Sequence, residues 1–402
     1  MKRKIVILGS TGSIGENALR VVRALPDELS VVGLAACSNV QRLVEQAVAF
    51  GVKTIALTEE TRAAEAEALA RPQGISVLAG SRALEEISVL PEADTVLCSV
   101  VGLAGLPPVL AAIDAGKDVA LATKEVLVSA GSLVMARREK KGVRILPIDS
   151  EHSAIFQALQ SSEWQVACVR PAAADPSTFA ENQIDRLILT ASGGPFAAYS
   201  DVDFDTVTPE AALRHPNWRM GPKVTIDSAT MMNKGLEIME AAALFGVPAA
   251  KIDVLVHPQS VVHSLVRYVD GNQIAQLSGA DMRFPIQYAL TWPERRRVEM
   301  PQLDLAEVGA LTFTRPDESR FRCLLLARAA MRAGGTAPAA LNAADEVAVA
   351  AFLQNRIRFL DIPRIIEEVL SRQDVKPCAT FECVYESDTW ARREAKRLVQ
   401  SK

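Results

Sequence analysis

A chain of 402 residues, 49% hydrophobic and 23% charged, is too long for one ordinary core and predicts a globular protein of two or three domains. A net charge of −4 and a pI of about 5.8 exclude a broad nucleic-acid-binding face, so runs such as Arg295-Arg296-Arg297 are expected to be solvated. The basic start leads at once into a four-residue apolar run, too short for a secretory signal, and no apolar run of roughly 18 residues predicts a membrane span. A cytoplasmic location is expected, with the scattered cysteines Cys37, Cys98, Cys168, Cys323, Cys378 and Cys383 as reduced thiols.

In chain order, residues 4–8 read as a buried parallel strand ending at Gly9, followed by a helical pattern over 16–24. Strands are expected at 30–36, 54–57, 95–100 and 118–122, with helices at 40–50 and 106–115. This alternation predicts an N-terminal doubly wound, Rossmann-type α/β domain over residues 1–150. The pattern then changes. A helix over 153–160, a strand over 186–191, a helix over 232–244 and strands at 254–256, 264–269 and 273–277 predict an α+β domain over 151–291. Its sheet is expected to be largely antiparallel, with a turn at Asp270-Gly271. Residues 292–317, with Pro293, Pro301 and Pro316, read as a linker. Helical patterns at 321–332, 337–355, 362–371 and 389–398 predict a C-terminal helical bundle over 318–402.

Four segments carry chemistry. Gly9-Ser-Thr-Gly12-Ser-Ile-Gly15 lies between a strand and a helix, where glycines permit a tight turn and the helix N-terminus attracts a pyrophosphate. The second strand ends in Ala36-Cys37-Ser38-Asn39, without the acid that usually holds an NAD ribose, so NADP is favoured. Next, the strand over 144–148 ends in Asp149-Ser150-Glu151, whose carboxylates point the same way if the segment is extended. With Glu237 they form an oxygen-rich site suited to Mg²⁺ or Mn²⁺. Ser192-Gly193-Gly194 is a candidate anion nest. Residues 201–223, an irregular stretch containing His215, Trp218 and Met220, form a candidate lid. Last, residues 227–237 read as one helix start, with Asp227 and Ser228 as caps and Asn233, Lys234 and Glu237 on one side. Of the remaining histidines, His257 is a candidate supporting group, and His152 and His263 receive no chemical role.

Taken together, these motifs resemble the 1-deoxy-D-xylulose 5-phosphate reductoisomerases nearly from end to end. The resemblance rests on the 9–15 turn, Lys124-Glu125, Pro147 to His152, Ser192 to Phe196, His215 to Trp218, Asp227 to Glu237 and Asn342 to Ala348. It implies an NADPH- and metal-dependent rearrangement and reduction of 1-deoxy-D-xylulose 5-phosphate to 2-C-methyl-D-erythritol 4-phosphate, in isoprenoid precursor synthesis. Asp149, Glu151 and Glu237 would hold the metal. Ser150, Ser192, His215, Ser228, Asn233 and Lys234 would hold the substrate, with Ser192, Ser228, Asn233 and Lys234 on its phosphate. Lys124 would meet the reacting end. Thr11, Gly12, Ser13 and Ile14 would hold the NADPH pyrophosphate, Ser38 and Asn39 its adenosine end, and Thr123, Glu125 and Gly221 would also touch the cofactor. The family is homodimeric. This chain departs from many members at Thr123, where they have Asn, and at Cys37-Ser38, where several have a base. The second departure predicts weaker discrimination between NADPH and NADH.

Overall fold

The computed structural model describes residues 2–159, 183–196 and 203–401. Residue 160 of the expected helix, Cys168 and residues 201–202 of the candidate lid lie outside the described residues. The first sheet is built from β1 (Arg3–Leu8), β2 (Leu29–Ala36), β3 (Thr54–Leu57), β4 (Ser76–Ala79), β5 (Thr95–Cys98), β6 (Asp118–Leu121) and β7 (Ile145–Pro147). Their order is β4-β3-β2-β1-β5-β6-β7, and every pairing is parallel. Chain order reverses direction beside β1. That is the switch point of a doubly wound fold, where a crevice opens at the carboxyl ends of the strands. The apolar runs are explained by burial on both faces: Ile5, Val6, Ile7 and Leu8 are all fully buried.

The connecting helices include α1 (Ser13–Ala24), α2 (Val40–Phe50), α3 (Leu106–Asp114) and α4 (Lys124–Lys141). The last of these has no clean amphipathic pattern in sequence, because ten of its residues are buried over much of its circumference.

Past β7, α5 (Ser150–Ala158) packs on a second sheet of β8 (Ile184–Ala191), β9 (Ile252–Val256), β10 (Val262–Tyr268) and β11 (Gln273–Leu277). The order is β11-β10-β8-β9. β10 runs antiparallel to β8 and β11, whereas β8 and β9 are parallel because a crossover that includes two longer helices lies between them. Those helices are α6 (Pro222–Thr230) and α7 (Met232–Phe245). The expected single helix start over 227–237 is therefore corrected. Asp227 and Ser228 belong to the end of α6, and Met231, at φ 62°, breaks the chain before α7 begins. Neither residue caps a helix, and Asp227 is only 1% exposed.

The proline-rich stretch expected as a linker is anchored to the second sheet. Thr314 and Val256 exchange backbone hydrogen bonds of 2.8 and 3.0 Å. Beyond it lie α8 (Arg322–Ala333), α9 (Ala337–Leu353), α10 (Asp361–Arg372) and α11 (Phe381–Gln400). α7 packs against both α4 and α8. Gly235 makes the second contact, since a Cβ there would stand 2.3 Å from the Ala327 Cβ.

Candidate active site

One open cleft collects most of the residues singled out in the sequence. Its walls carry Ser13 and Ile14 from the glycine turn, Lys124 from α4, and Asp149, Ser150 and Glu151 from the β7–α5 junction. Ser192, His215, Gly221, Ser228, Asn233, Lys234 and Glu237 complete them.

The carboxylates form its centre. Ligand atoms of Asp149, Glu151 and Glu237 lie within 4.8 Å of one another. The expected extended Asp149–Glu151 segment is corrected: β7 ends at Pro147, Asp149 is the N-cap of α5 and Glu151 lies in its first turn, while Glu237 comes from the second turn of α7. Two ammonium groups sit among them. Lys124 Nζ is 2.5 Å from Asp149 Oδ2 and 3.3 Å from Glu237 Oε1. Lys234 Nζ donates to Glu151 Oε1 at 2.9 Å, to the Thr190 carbonyl at 2.5 Å, and to Glu237 Oε2. An all-oxygen donor set of three carboxylates, in a largely buried position, fits a hard divalent cation.

Titration behaviour follows the geometry. Burial alone would raise the Asp149 carboxyl, but the Lys124 ammonium and His152 hold it well below the usual range. Glu237 moves the other way, raised by burial and by the facing Glu151 carboxylate. Burial disfavours both ammonium charges, yet the carboxylates keep Lys124 well above, and Lys234 above, the ordinary lysine value.

Beside this centre lies the Ser192–Gly194 turn, the candidate anion nest. Gly193 and Gly194 have φ of 81° and 66°, and the Gly194 N–H donates to Ser192 Oγ at 3.1 Å. A Cβ on Gly194 would stand 2.6 Å from the Ser228 carbonyl, so only glycine lets this turn lie against α6. His215 completes the group. Its Nδ1 accepts from the backbone N–H of Asn217 (3.2 Å) and Trp218 (2.9 Å). The proton is thereby placed on Nε2, which lies 2.8 Å from Ser192 Oγ. Burial lowers the imidazole pKa and favours this neutral form.

The glycine turn ends the cleft on the other side. Gly9 has φ 82°, and a Cβ on Gly15 would stand 2.4 Å from the Gly9 carbonyl. Gly12 occupies the N-cap position of α1, and no side chain caps that end. The backbone N–H groups there are free of a side-chain acceptor, as a phosphate site requires.

The remaining cofactor candidates are spread along the same edge. Thr11 and Gly12 lie in the glycine turn, and Asn39 caps α2 by accepting from Arg42 N at 3.2 Å. The expected lack of a base near Ser38 is corrected in space: Arg62, from the turn after β3, donates to the Ser38 carbonyl at 2.6 Å. Sequence distance hid it, because β2 and β3 are neighbours only in the sheet. Thr123 is buried and donates to the Val100 carbonyl at 2.6 Å, and Glu125 is buried beneath it. Neither Thr123 nor Glu125 lines the cleft.

Several residues acquire roles that the sequence did not signal. His152 Nε2 lies 2.9 Å from the Glu237 carbonyl, and its Nδ1 lies 3.7 Å from Asp149 and 3.5 Å from Glu240. Although burial opposes its charge, the Glu240 carboxylate and Asp149 push its pKa up to about 9. The available signals were the three-residue spacings Asp149/His152 and Glu237/Glu240. His263 and Trp218 both line the cleft, with ring centroids 6.0 Å apart. His257 is buried elsewhere. Its Nε2 accepts from Val261 N and Val262 N, and its ring stacks on Phe313 at 4.5 Å.

A doubly wound sheet with an uncapped glycine turn, opening on an oxygen-rich metal centre and an anion nest, defines a metal-dependent dinucleotide oxidoreductase acting on a phosphorylated substrate. Family models narrow that class. The model described as 1-deoxy-D-xylulose 5-phosphate reductoisomerase matches residues 5–131, that of its C-terminal domain residues 145–245, and a further DXP reductoisomerase C-terminal domain residues 277–394. The chain belongs to the 1-deoxy-D-xylulose 5-phosphate reductoisomerase family. It is 50% identical over 402 residues to that enzyme from Heliobacterium modesticaldum, covering 99% of this chain and 98% of the relative. It is 47% identical to the one from Ralstonia pickettii, covering 98% and 97%. Among solved structures it resembles the Zymomonas mobilis enzyme in complex with NADPH (TM-score 0.89, 39% identity, 100% of both chains). It also resembles a DOX-P reductoisomerase in complex with NADPH, fosmidomycin and magnesium (TM-score 0.91, 39% identity, 99% and 98% covered).

Proposed function

We propose that this chain converts 1-deoxy-D-xylulose 5-phosphate to 2-C-methyl-D-erythritol 4-phosphate, using NADPH and Mg²⁺ or Mn²⁺. The observation that carries the reading is the convergence of Asp149, Glu151 and Glu237 beside the Ser192–Gly194 turn in the cleft that the glycine turn borders. Relatives that cover nearly the whole chain carry the same enzyme name.

The three carboxylates would hold the metal, which supplies Lewis acidity to the carbonyl and hydroxyl oxygens of the substrate. NADPH would be held by Thr11, Gly12, Ser13 and Ile14 with Ser38, Asn39 and Gly221, and would supply the hydride; the buried Thr123 and Glu125 stand behind that edge and are not assigned to it. The chain's own groups do the rest. Ser192, Ser228, Asn233 and Lys234 bind the phosphate, which is remote from the reacting carbons and so supplies binding energy for orientation. Ser150 and His215 orient the substrate, His215 as a neutral Nε2–H donor. Lys124 presents a permanent ammonium to the reacting oxygens. Residues 201–223 act as the lid, with Trp218 and Met220 excluding water.

In the same reading residues 1–150 bind NADPH, 151–291 carry catalysis and dimerisation, 292–317 connect, and 318–402 form the helical domain. The homodimer is supported by β11, an edge strand whose Ile274 is 40% exposed. A cytoplasmic location is supported by five free thiols among the described residues. No helix there is long and apolar enough to cross a membrane. The test is absorbance of NADPH with 1-deoxy-D-xylulose 5-phosphate, with and without EDTA. Oxidation that stops with EDTA and returns with Mg²⁺ or Mn²⁺ is expected. No oxidation with either metal refutes the assignment.

A further inference from the structure

A second set of buried charges lies outside the metal centre. Lys223 Nζ stands 2.6 Å from Asp227 Oδ2, 3.1 Å from Asp345 Oδ2 and 3.7 Å from Glu125 Oε1. The side chains of Asp227 and Asp345 are 1% and 0% exposed, and that of Glu125 is 7% exposed. Three elements meet here. Glu125 follows the cleft residue Lys124 at the start of α4. Lys223 and Asp227 lie on α6, which begins just after Gly221 and carries Ser228. Asp345 comes from α9 of the helical bundle.

Burial and the facing Asp345 carboxylate push the Asp227 carboxyl well up, against the pull of the Lys223 ammonium. Burial opposes the Lys223 charge, but Asp227, Asp345 and Glu125 together hold its pKa well above the ordinary lysine value. Such a cluster is a poor source of stability, because desolvating the charges offsets much of their attraction and apolar replacements often serve as well. Around Asp345, α9 buries Leu341, Ala344 and Ala348 together with Asn342, which donates to Glu346. Stability therefore does not explain why four ionisable groups are buried at this point.

Position offers a reason. No residue lining the cleft lies beyond Met282, so the helical bundle reaches the site only indirectly. Asp345 is one such route: it grips the first turn of α6, where the 203–221 segment ends. The next residue, Glu346, has its carboxylate 2.8 Å from where a Cβ on Gly102 would stand, in the loop that follows β5. Asp345 thus braces the phosphate-side helix, while Glu346 only packs close to Gly102 and accepts from Asn342 and Arg392 within the bundle.

We propose that Asp345 is a positioning residue: through Lys223 it fixes the Ser228-bearing helix for the substrate phosphate. This rests on the function proposed above. The test compares the full-length wild type with Asp345→Leu, Asp345→Asn and the double variant Lys223→Met/Asp345→Leu. Each is assayed for thermal midpoint, kcat, and KM for substrate and for NADPH. In Asp345→Leu the substrate KM should rise by about tenfold, with the NADPH KM within about twofold and the midpoint held or raised. Asp345→Asn, which keeps the shape, should restore part of the loss, and the double variant should be no worse than Asp345→Leu. Should Asp345→Leu fail to fold, the same KM split is required of Asp345→Asn. An unchanged substrate KM, or equal rises in both KM values, overturns the proposal. A wild type that does not oxidise NADPH with this substrate overturns instead the function on which it rests.

Discussion

Replacing Glu237 by Gln isolates the metal centre from the fold. The Glu237 carboxylate is fully buried and contacts both Lys124 and Lys234. Stranding a buried charge costs about 3–5 kcal/mol. Neither ammonium is stranded here, because Lys124 keeps Asp149 at 2.5 Å and Lys234 keeps Glu151 at 2.9 Å. Repulsion from Glu151, part of what raises the Glu237 pKa, is relieved at the same time. The fold should therefore lose less than about 3 kcal/mol, read as a fall of a few degrees in thermal midpoint. Metal binding should suffer far more. Losing a group that only supports a ligand costs about 10–100-fold in affinity, so losing one of three carboxylate ligands should exceed about 100-fold. The assay is NADPH oxidation against Mg²⁺ concentration, with the midpoint measured on the same preparation. Wild-type activity at limiting Mg²⁺ would remove Glu237 from the metal shell. A lost activity accompanied by an unfolded protein would refute the charge count instead.

Other changes probe the remaining parts of the cleft. Lys234→Ala should mainly raise the substrate KM. If KM holds while Mg²⁺ affinity rises, the ammonium serves the carboxylates and not the phosphate. Protonating His215 would set Nδ1–H against the N–H groups of Asn217 and Trp218, and burial keeps the ring neutral to a lower pH than an ordinary imidazole. Substrate KM should accordingly stay flat through neutrality and rise only below the usual histidine range. A rise beginning near pH 7 contradicts that tautomer. Arg62→Ala should lower the ratio of kcat/KM for NADPH over NADH by about 10-fold or more, as a cation facing the 2′-phosphate would. An unchanged ratio leaves Arg62 as a loop tether. Gly15→Ala would drive a methyl to 2.4 Å from the Gly9 carbonyl. It should abolish NADPH binding, measured by fluorescence titration, and retained affinity would show that the turn can relax.

Much of this was legible where local pattern and three-dimensional role coincide. The β1 run, the glycine turn and the Asp149/Glu151 pair each sit where a strand meets a helix, and short-range rules describe such junctions well. Helix α2 is bounded by an Asn cap and a left-handed Gly51, so both its ends could be read directly. Three kinds of feature were hidden. Helix α4 is buried over so much of its surface that amphipathic spacing vanishes. The break at Met231 carries no Gly or Pro to announce it. Partners such as Lys223 with Asp345, or Arg62 with Ser38, are joined only by packing, and periodicity along one chain cannot report that.

The left-handed Met231 also decides which side chains can share a ligand. On a continuous helix, Ser228 and Asn233 would be rotated about 140° apart, and Ser228 and Lys234 about 120°. One of the three would then turn away from any common target. The single reversed φ starts a second helix with its own rotational origin, and all three side chains line one cleft. A short stretch of sequence thereby acts as two facing walls, and their angle is set by one backbone torsion and no side chain.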